Sequence, residues 1–129
     1  MALRVFRLGA PRAPDEGIRL GTVRRPPRGV PRAEYGRRDY YDVWFPTLAP
    51  SAELLTMGKN LTTEPQAWRA FARKYKQEMA QPSAVHALDL LAALSHRTNL
   101  SVGCYCEDET RCHRAVLRQL LKERGTLFA

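Results

Sequence analysis

The sequence predicts a single compact α/β domain in which a small, mostly parallel sheet is flanked by helices. The first observation is length, because 129 residues are enough for one core and too few for two domains of ordinary size. The second is that strand-like segments occur near both ends of the chain, at residues 3–8, 18–25 and 100–106. The third is that segments with a helical apolar stripe lie between and after them. We therefore expect one core shared by both kinds of element.

The N-terminal half begins with two predicted strands and continues as a long loop. "LRVFRL" alternates enough for a first strand, and "IRLGTVRR" indicates a second one. The Pro26-Pro27 pair ends this second strand, because proline cannot continue a ladder. Residues 26–48 are rich in Pro, Gly, Arg and aromatic residues, and long loops of this kind are usually functional or mobile. "PSAELLTM" then predicts a short helix after Pro50.

Two longer helices are predicted in the middle of the chain. In "TTEPQAWRAFARKYKQEM", Thr63 is placed as the N-cap with Gln66 three residues further on. Apolar residues recur there at helical spacing, namely Trp68, Phe71, Ala72, Tyr75 and Met79. We interpret this stripe as core packing and not as a base-stacking platform, because the spacing alone demands burial. "SAVHALDLLAALSHR" predicts the second helix.

The C-terminal part predicts a strand, a polar loop and a closing helix. "LSVGCYC" is a short apolar segment that suits the interior of a sheet. "EDETR" is polar, and "CHRAVLRQLLKERG" has helical spacing with Gly125 at its C-terminal cap position. All three cysteines therefore lie between a strand end and a helix start. In an open α/β sheet this is the edge where ligands tend to bind.

Positive charge is concentrated at the N-terminus. The net charge is +8, and residues 1–38 contribute +7 of it, with ten of the 17 arginines. The planar guanidinium suits bidentate capture of phosphate or carboxylate. An anionic small molecule or a nucleic acid is therefore the kind of partner that the charge favours.

The composition also bears on the compartment. No apolar run approaches the roughly 20 residues that a membrane-spanning helix needs, so no membrane partner is expected. Arginines interrupt the apolar stretch at the start, unlike a signal peptide. Three clustered cysteines fit a reducing environment better than a disulfide framework. We expect a cytoplasmic protein; the sequence does not indicate an oligomeric state.

Three separated segments resemble a known family. "GIRLGTVRRPPRGV", "WFPTLAPSAELL" with "WRAFARKYKQEM", and "CHRAVL" are similar, in consistent order, to motifs of the YeaO-like proteins, a bacterial family of unknown function (domain of unknown function, number 488). The resemblance implies one YeaO-like domain over residues 1–129 and no established activity. Val23 and Pro26 depart from it, where the family usually has aspartate and tryptophan. The residues that match are Arg19, Arg24, Pro27, Arg28, Gly29, Ala49, Pro50, Ser51, Cys106, Glu107, Cys112, His113 and Arg114.

The cysteine stretch supplies the candidate reactive groups. Cys112 is predicted at a helix N-terminus, where unpaired N–H groups and the helix dipole favour thiolate over thiol. We therefore select Cys106, Cys112 and His113 as catalytic candidates. The candidates for ligand binding are Arg19, Arg24, Arg28, Ser51, Glu107 and Arg114. If the N-terminal arginines fold over this edge, a thiolate would lie beside an anion pocket suited to a phosphorylated, sulfur-containing or carboxylate substrate.

Other interpretations of the cysteines stay open. Cys106 to Arg111 has the C-x4-R spacing of rhodanese-like sulfurtransferase loops, although three neighbouring carboxylates oppose an anion there. Zinc accepts cysteine and histidine ligands, but Cys112 and His113 should diverge on a helix, so no metal and no cofactor are predicted. A reversible disulfide between Cys106 and Cys112, and a purely structural role for Cys104, are the remaining alternatives.

Two functions follow from the sequence. The first is a small enzyme or ligand-binding domain with an anion pocket built from arginines and the Cys-His-Arg helix start. The second is a nucleic-acid-binding accessory protein that uses the basic N-terminal region, with Tyr35, Tyr40, Tyr41 and Trp44 available for stacking.

Overall fold

The core of the molecule is a four-stranded sheet in which all strands run parallel. The structure is a computed structural model that describes residues 1–57, 65–106 and 112–129. Its strands are β1 (Leu3–Arg7), β2 (Ile18–Gly21), β3 (Val43–Trp44) and β4 (Leu100–Cys104), arranged in the order β1-β4-β2-β3. This arrangement confirms the predicted α/β class with a small parallel sheet.

Four helices complete the described part of the fold. They are α1 (Ala52–Met57), α2 (Pro65–Glu78), α3 (Pro82–Leu94) and α4 (His113–Lys122). Helix α4 contacts both α2 and α3. No helix among the described residues combines the length and the apolar character that crossing a bilayer requires.

Strand β4 lies at the centre because its sequence tolerates burial on both faces. All five residues of "LSVGC" are buried, and they pair with β1 on one side and with β2 on the other. Gly103 is needed there, since a Cβ would lie 2.8 Å from the carbonyl oxygen of Phe6 and 2.7 Å from its ring. Cys104 is the last residue of this central strand and therefore lies in the middle of the carboxyl edge of the sheet.

The predicted apolar stripes form the main core. Phe71 and Tyr75 of α2 are 4% and 0% exposed, so the aromatic stripe is core, as the spacing predicted. The buried face of α3 consists of alanine and leucine, and α4 contributes Val116, Leu117 and Leu121. The predicted N-cap Thr63 lies outside the described residues.

The segment after β2 differs from its prediction in detail. Strand β2 ends at Gly21, earlier than predicted, and the ring of Tyr41 packs where a side chain at Gly21 would lie. Within residues 26–48 the chain forms β3 and two short 3-10 turns, Arg32–Glu34 and Pro46–Leu48. Burial of Tyr41 anchors this segment on the sheet.

Candidate functional site

The three cysteines form one cluster at the carboxyl edge of the sheet. Cys104 ends β4, Cys106 follows two residues later, and Cys112 is the N-cap residue of α4. Their three Sγ atoms lie within 4.8 Å of one another, and the Sγ atoms of Cys104 and Cys112 are 2.7 Å apart. The fold thus joins the strand end and the helix start that the sequence places eight residues apart.

The three thiols differ in access to solvent. Cys104 and Cys112 are buried, at 2% and 1% exposure, whereas Cys106 is exposed. A molecule arriving from solvent therefore meets Cys106 first. The two buried cysteines, Cys104 and Cys112, form hydrogen bonds with Cys106.

The cluster favours a thiolate at Cys106. Hydrogen bonds from the thiols of Cys104 and Cys112, together with the positive charge of Arg114, lower the pKa of Cys106 to about 3. Hydrogen bonding to Cys106 and Cys112, and then burial, raise the pKa of Cys104. The negative charge is therefore held at the exposed position, and Cys104 stays a thiol.

His113 is held in one orientation behind the cluster. Its Nε2 atom lies 2.8 Å from the carbonyl oxygen of Thr22, which can only accept a hydrogen bond, so Nε2 carries a proton. The other nitrogen, Nδ1, lies 3.6 Å from Cys112 Sγ. In the neutral imidazole, Nδ1 is thus the atom that can accept a proton from Cys112.

Arg114 fixes the backbone beside the exposed cysteine. The guanidinium is buried, and its Nη2 donates to the carbonyl oxygen of Cys106 at 2.5 Å. Its main-chain N–H also donates to Cys112 Sγ at 3.5 Å, which is the N-cap bond of α4. Cys106, Cys112, His113 and Arg114 are therefore brought together at this edge.

Arg19 lies in a different network. Its side chain is 1% exposed, and its guanidinium donates to both carboxylate oxygens of Glu16, at 2.6 and 2.8 Å. It also donates to the carbonyl oxygens of Ala10 and Asp39. These contacts place the Arg19 guanidinium within the N-terminal segment and not at the thiol cluster.

Arg24 and Ser51 stabilise the segment that leads from residue 46 into α1. The Arg24 guanidinium donates to three main-chain carbonyl oxygens, those of Pro46, Ala49 and Pro50. The Ser51 hydroxyl accepts from the N–H of Leu54 and caps α1. Main-chain oxygens thus hold Arg24 in place of the acidic residue that the family pattern has at position 23.

Arg28 lines a shallow recess together with Tyr105, the residue that precedes the exposed cysteine. The recess has a volume of about 340 Å³, and its lining residues are Arg25, Pro26, Pro27, Arg28, Tyr40 and Tyr105. Tyr105 directly precedes Cys106, and its hydroxyl donates to the carbonyl oxygen of Arg25 at 3.1 Å. The rings of Tyr40 and Tyr105 pack edge to face with centroids 6.3 Å apart.

Sequence reasoning did not select Tyr105, Arg25 or Thr22. Tyr105 lies inside the cysteine stretch, so its position beside Cys106 was a usable signal. Thr22 is visible only in three dimensions, because its carbonyl reaches His113 across 91 residues of sequence. Glu107 and Arg111, and with them the C-x4-R loop, lie outside the described residues.

The aromatic residues proposed for stacking are divided between surface and interior. Tyr41 is 1% exposed, and burial raises its pKa to about 12. Tyr35 packs edge to face on Tyr41, with ring centroids 5.0 Å apart. Trp44 is 44% exposed, and its Nε1 donates to the carbonyl oxygen of Val23. The buried Tyr41 is unavailable as a stacking platform.

The three sulfurs are also close enough to hold one soft metal ion. Zinc accepts cysteine thiolates, and a site with three protein ligands leaves a fourth position open. Within residues 1–57, 65–106 and 112–129, this is the one group of three potential metal-binding side chains found so close together. His113 is not part of the group, but its Nδ1 lies 3.6 Å from Cys112 Sγ, so the two side chains do not diverge as expected.

The fold and the cluster define a small parallel α/β domain with thiols at the carboxyl edge of its sheet. A family model described as the active DUF488-N3 subclade matches residues 3–125, and the chain belongs to this family. The match confirms the family, domain of unknown function 488, that the sequence motifs indicated. No significant similarity was found to a curated protein or to a solved structure.

Proposed function

We propose that the protein is a small enzyme in which Cys106 is the nucleophile and an anionic substrate binds beside it. The observation that carries this proposal is that Cys106 is the exposed member of three sulfurs within 4.8 Å of one another. A thiolate, and not a thiol, is the attacking species in cysteine chemistry. The cluster supports a thiolate at the position that a substrate can reach.

The neighbouring groups have distinct roles in this proposal. The buried thiols of Cys104 and Cys112 donate hydrogen bonds that stabilise the Cys106 thiolate. Arg114 holds the Cys106 carbonyl and adds positive charge at the site. The class of reaction is group transfer through a covalent intermediate on sulfur, since the site presents a nucleophile with supporting donors.

The recess lined by Arg25, Arg28, Tyr40 and Tyr105 is the proposed anion site. Both arginines are exposed, and no acidic residue is among those that line the recess. Tyr105 links the recess directly to Cys106 along the chain. Of the other arginines predicted to bind a ligand, Arg19 and Arg24 donate to the protein's own oxygens, so the proposed site rests on Arg25 and Arg28.

The proposal is tested by alkylation of the reduced, chelator-treated protein, followed by peptide mapping. Cys106 should react first and phosphate should slow its reaction, because the anion occupies the recess. Arg28→Gln should weaken protection by phosphate, whereas Arg73→Gln, the same change on an exposed residue of α2, should leave it intact. Preferential labelling of another cysteine would refute the nucleophile, and equal protection in both variants would refute the anion site.

The same recess favours a second candidate, single-stranded nucleic acid. Arginine and tyrosine are interleaved there, and such surfaces bind phosphates and stack bases. Binding of a fluorescent oligonucleotide should weaken with salt, and Arg28→Gln should reduce the slope against log salt by about 1. Absence of binding at low ionic strength would exclude this candidate.

A further inference from the structure

We infer that Cys112 resolves a mixed disulfide formed at Cys106, so that the protein reduces the disulfide bond of an anionic substrate. This inference rests on the proposed nucleophilic role of Cys106. It adds a second reacting sulfur, a proton acceptor and a substrate class.

The first support is the distance between the sulfurs. Cys106 Sγ and Cys112 Sγ lie within 4.8 Å. Because a disulfide joins its sulfurs at about 2 Å, the atoms need to approach by about 3 Å at most. Cys106 follows the end of β4 and Cys112 precedes the first turn of α4, so neither belongs to the body of a strand or helix. A side-chain rotation can supply such a movement.

The second support is the division between an accessible and an inaccessible sulfur. Cys106 is exposed, while Cys112 is 1% exposed. An external disulfide can therefore reach Cys106 but not Cys112. Once the mixed disulfide exists, attack by Cys112 is intramolecular and benefits from a high effective concentration.

The third support is the proton acceptor beside Cys112. His113 Nδ1 is 3.6 Å from Cys112 Sγ, and Nε2 is committed to the Thr22 carbonyl oxygen. Neutral His113 can thus take the proton of Cys112 at Nδ1 while its ring stays in place. Among the described residues, Cys112 Sγ is a hydrogen-bond partner of Cys104 Sγ at 2.7 Å, and no histidine nitrogen bonds to Cys104.

The chemistry balances over two steps. The Cys106 thiolate attacks one sulfur of the substrate disulfide, which breaks the S–S bond and releases the first substrate thiolate. Cys112 then gives its proton to His113 Nδ1 and attacks Cys106 Sγ, which releases the second thiolate, and that thiolate takes up the proton. The substrate gains two electrons and becomes one thiolate and one thiol, while Cys106 and Cys112 become a disulfide. A low-molecular-weight thiol reductant returns the protein to its dithiol state.

The probe for this inference is dithiobis(nitrobenzoate), an anionic aromatic disulfide whose released thiolate is coloured. One equivalent added to the reduced, metal-free full chain should release two thiolates per chain. Mass spectrometry should then find an intramolecular Cys106–Cys112 disulfide and no retained adduct. Retention of the adduct on Cys106 in the wild-type protein would overturn the inference.

Variants of the three cysteines separate the roles. Cys112→Ser should release one thiolate and keep a stable adduct on Cys106. Cys104→Ser, which removes a thiol that supports the Cys106 thiolate, should slow the first release but still end with two thiolates released. The reverse pattern would overturn the assignment of Cys112. Cys106→Ser should abolish rapid release, and persistence of that release would instead refute the proposed nucleophile. Circular dichroism and urea unfolding establish that each variant is folded.

A further variant tests the proton acceptor. His113→Gln should slow release of the second thiolate at least tenfold and leave the first phase within twofold of the wild-type rate. An unchanged second phase would overturn the role of His113.

Discussion

The buried pair of Arg19 and Glu16 provides a quantitative test of how the N-terminal segment is held. In Arg19→Met the carboxylate of Glu16 would lose both guanidinium hydrogen bonds, at 2.6 and 2.8 Å, in a site where both side chains are almost fully buried. Removing one partner of a buried pair typically costs about 3–5 kcal/mol. A typical domain has about 5–15 kcal/mol of stability, so the loss should be large.

The pH dependence of this loss follows from Glu16. Burial acts to raise the pKa of Glu16, but hydrogen bonds from Arg19, Ser101 and the Ala13 N–H outweigh it, and the pKa is lowered. A carboxyl group with a lowered pKa in the folded state stabilises above its unfolded pKa, about 4.3, and loses this effect as pH falls through its folded pKa. In Arg19→Met the unpaired carboxylate is destabilising, so acid should reduce the difference from wild type.

Urea unfolding at neutral pH and at about pH 4 measures both effects. The double variant Glu16→Gln/Arg19→Met should recover part of the stability, because it leaves no buried charge. A loss below about 1 kcal/mol would refute the reasoning, since it is smaller than breaking a buried pair costs. Loss of phosphate protection at Cys106 with unchanged stability would assign Arg19 to ligand binding, as its motif predicted.

Two further predictions concern the scaffold around the site. Gly103→Ala should lower the free energy of unfolding by about 1–3 kcal/mol in urea titrations. The reason is that a Cβ at this position would collide with the ring and the carbonyl oxygen of Phe6 in β1. Unchanged stability would contradict this packing. Arg24→Gln should cost about 1.5–3 kcal/mol and speed amide exchange in residues 46–50, since it removes charged hydrogen bonds to three carbonyl oxygens. The exposed control Arg28→Gln should stay within about 0.5 kcal/mol of wild type, and equal losses in both variants would be the contrary result.

The elements with strong local patterns were predictable from the sequence. The aromatic stripe of α2 fixed both its helical state and its buried face, because the spacing leaves one apolar side. The cysteine stretch also indicated the edge of the sheet at which the thiols lie. These predictions depend on neighbours in sequence, which a single chain displays directly.

The residues that depend on distant contacts were not predictable in the same way. The ring of Tyr41 packs against Gly21 of β2 from a segment 20 residues away, and the local sequence of β2 does not indicate this contact. Arg19, Arg24 and Arg28 belong to the same N-terminal motif. In the structure, Arg19 and Arg24 donate hydrogen bonds to oxygens of the protein, whereas Arg28 is exposed to solvent. Sequence alone cannot tell an arginine that binds the protein's own oxygens from one that faces solvent.

The central claim is that Cys106 is a thiolate at neutral pH because its neighbours hold it in that state. The most direct measurement is the rate of Cys106 carboxymethylation against pH, in the reduced and chelator-treated protein. Hydrogen bonds from Cys104 and Cys112 lower the pKa of Cys106 to about 3, so the rate should stay nearly constant between about pH 5 and pH 8. A midpoint near the ordinary value of about 8.5 would contradict the account.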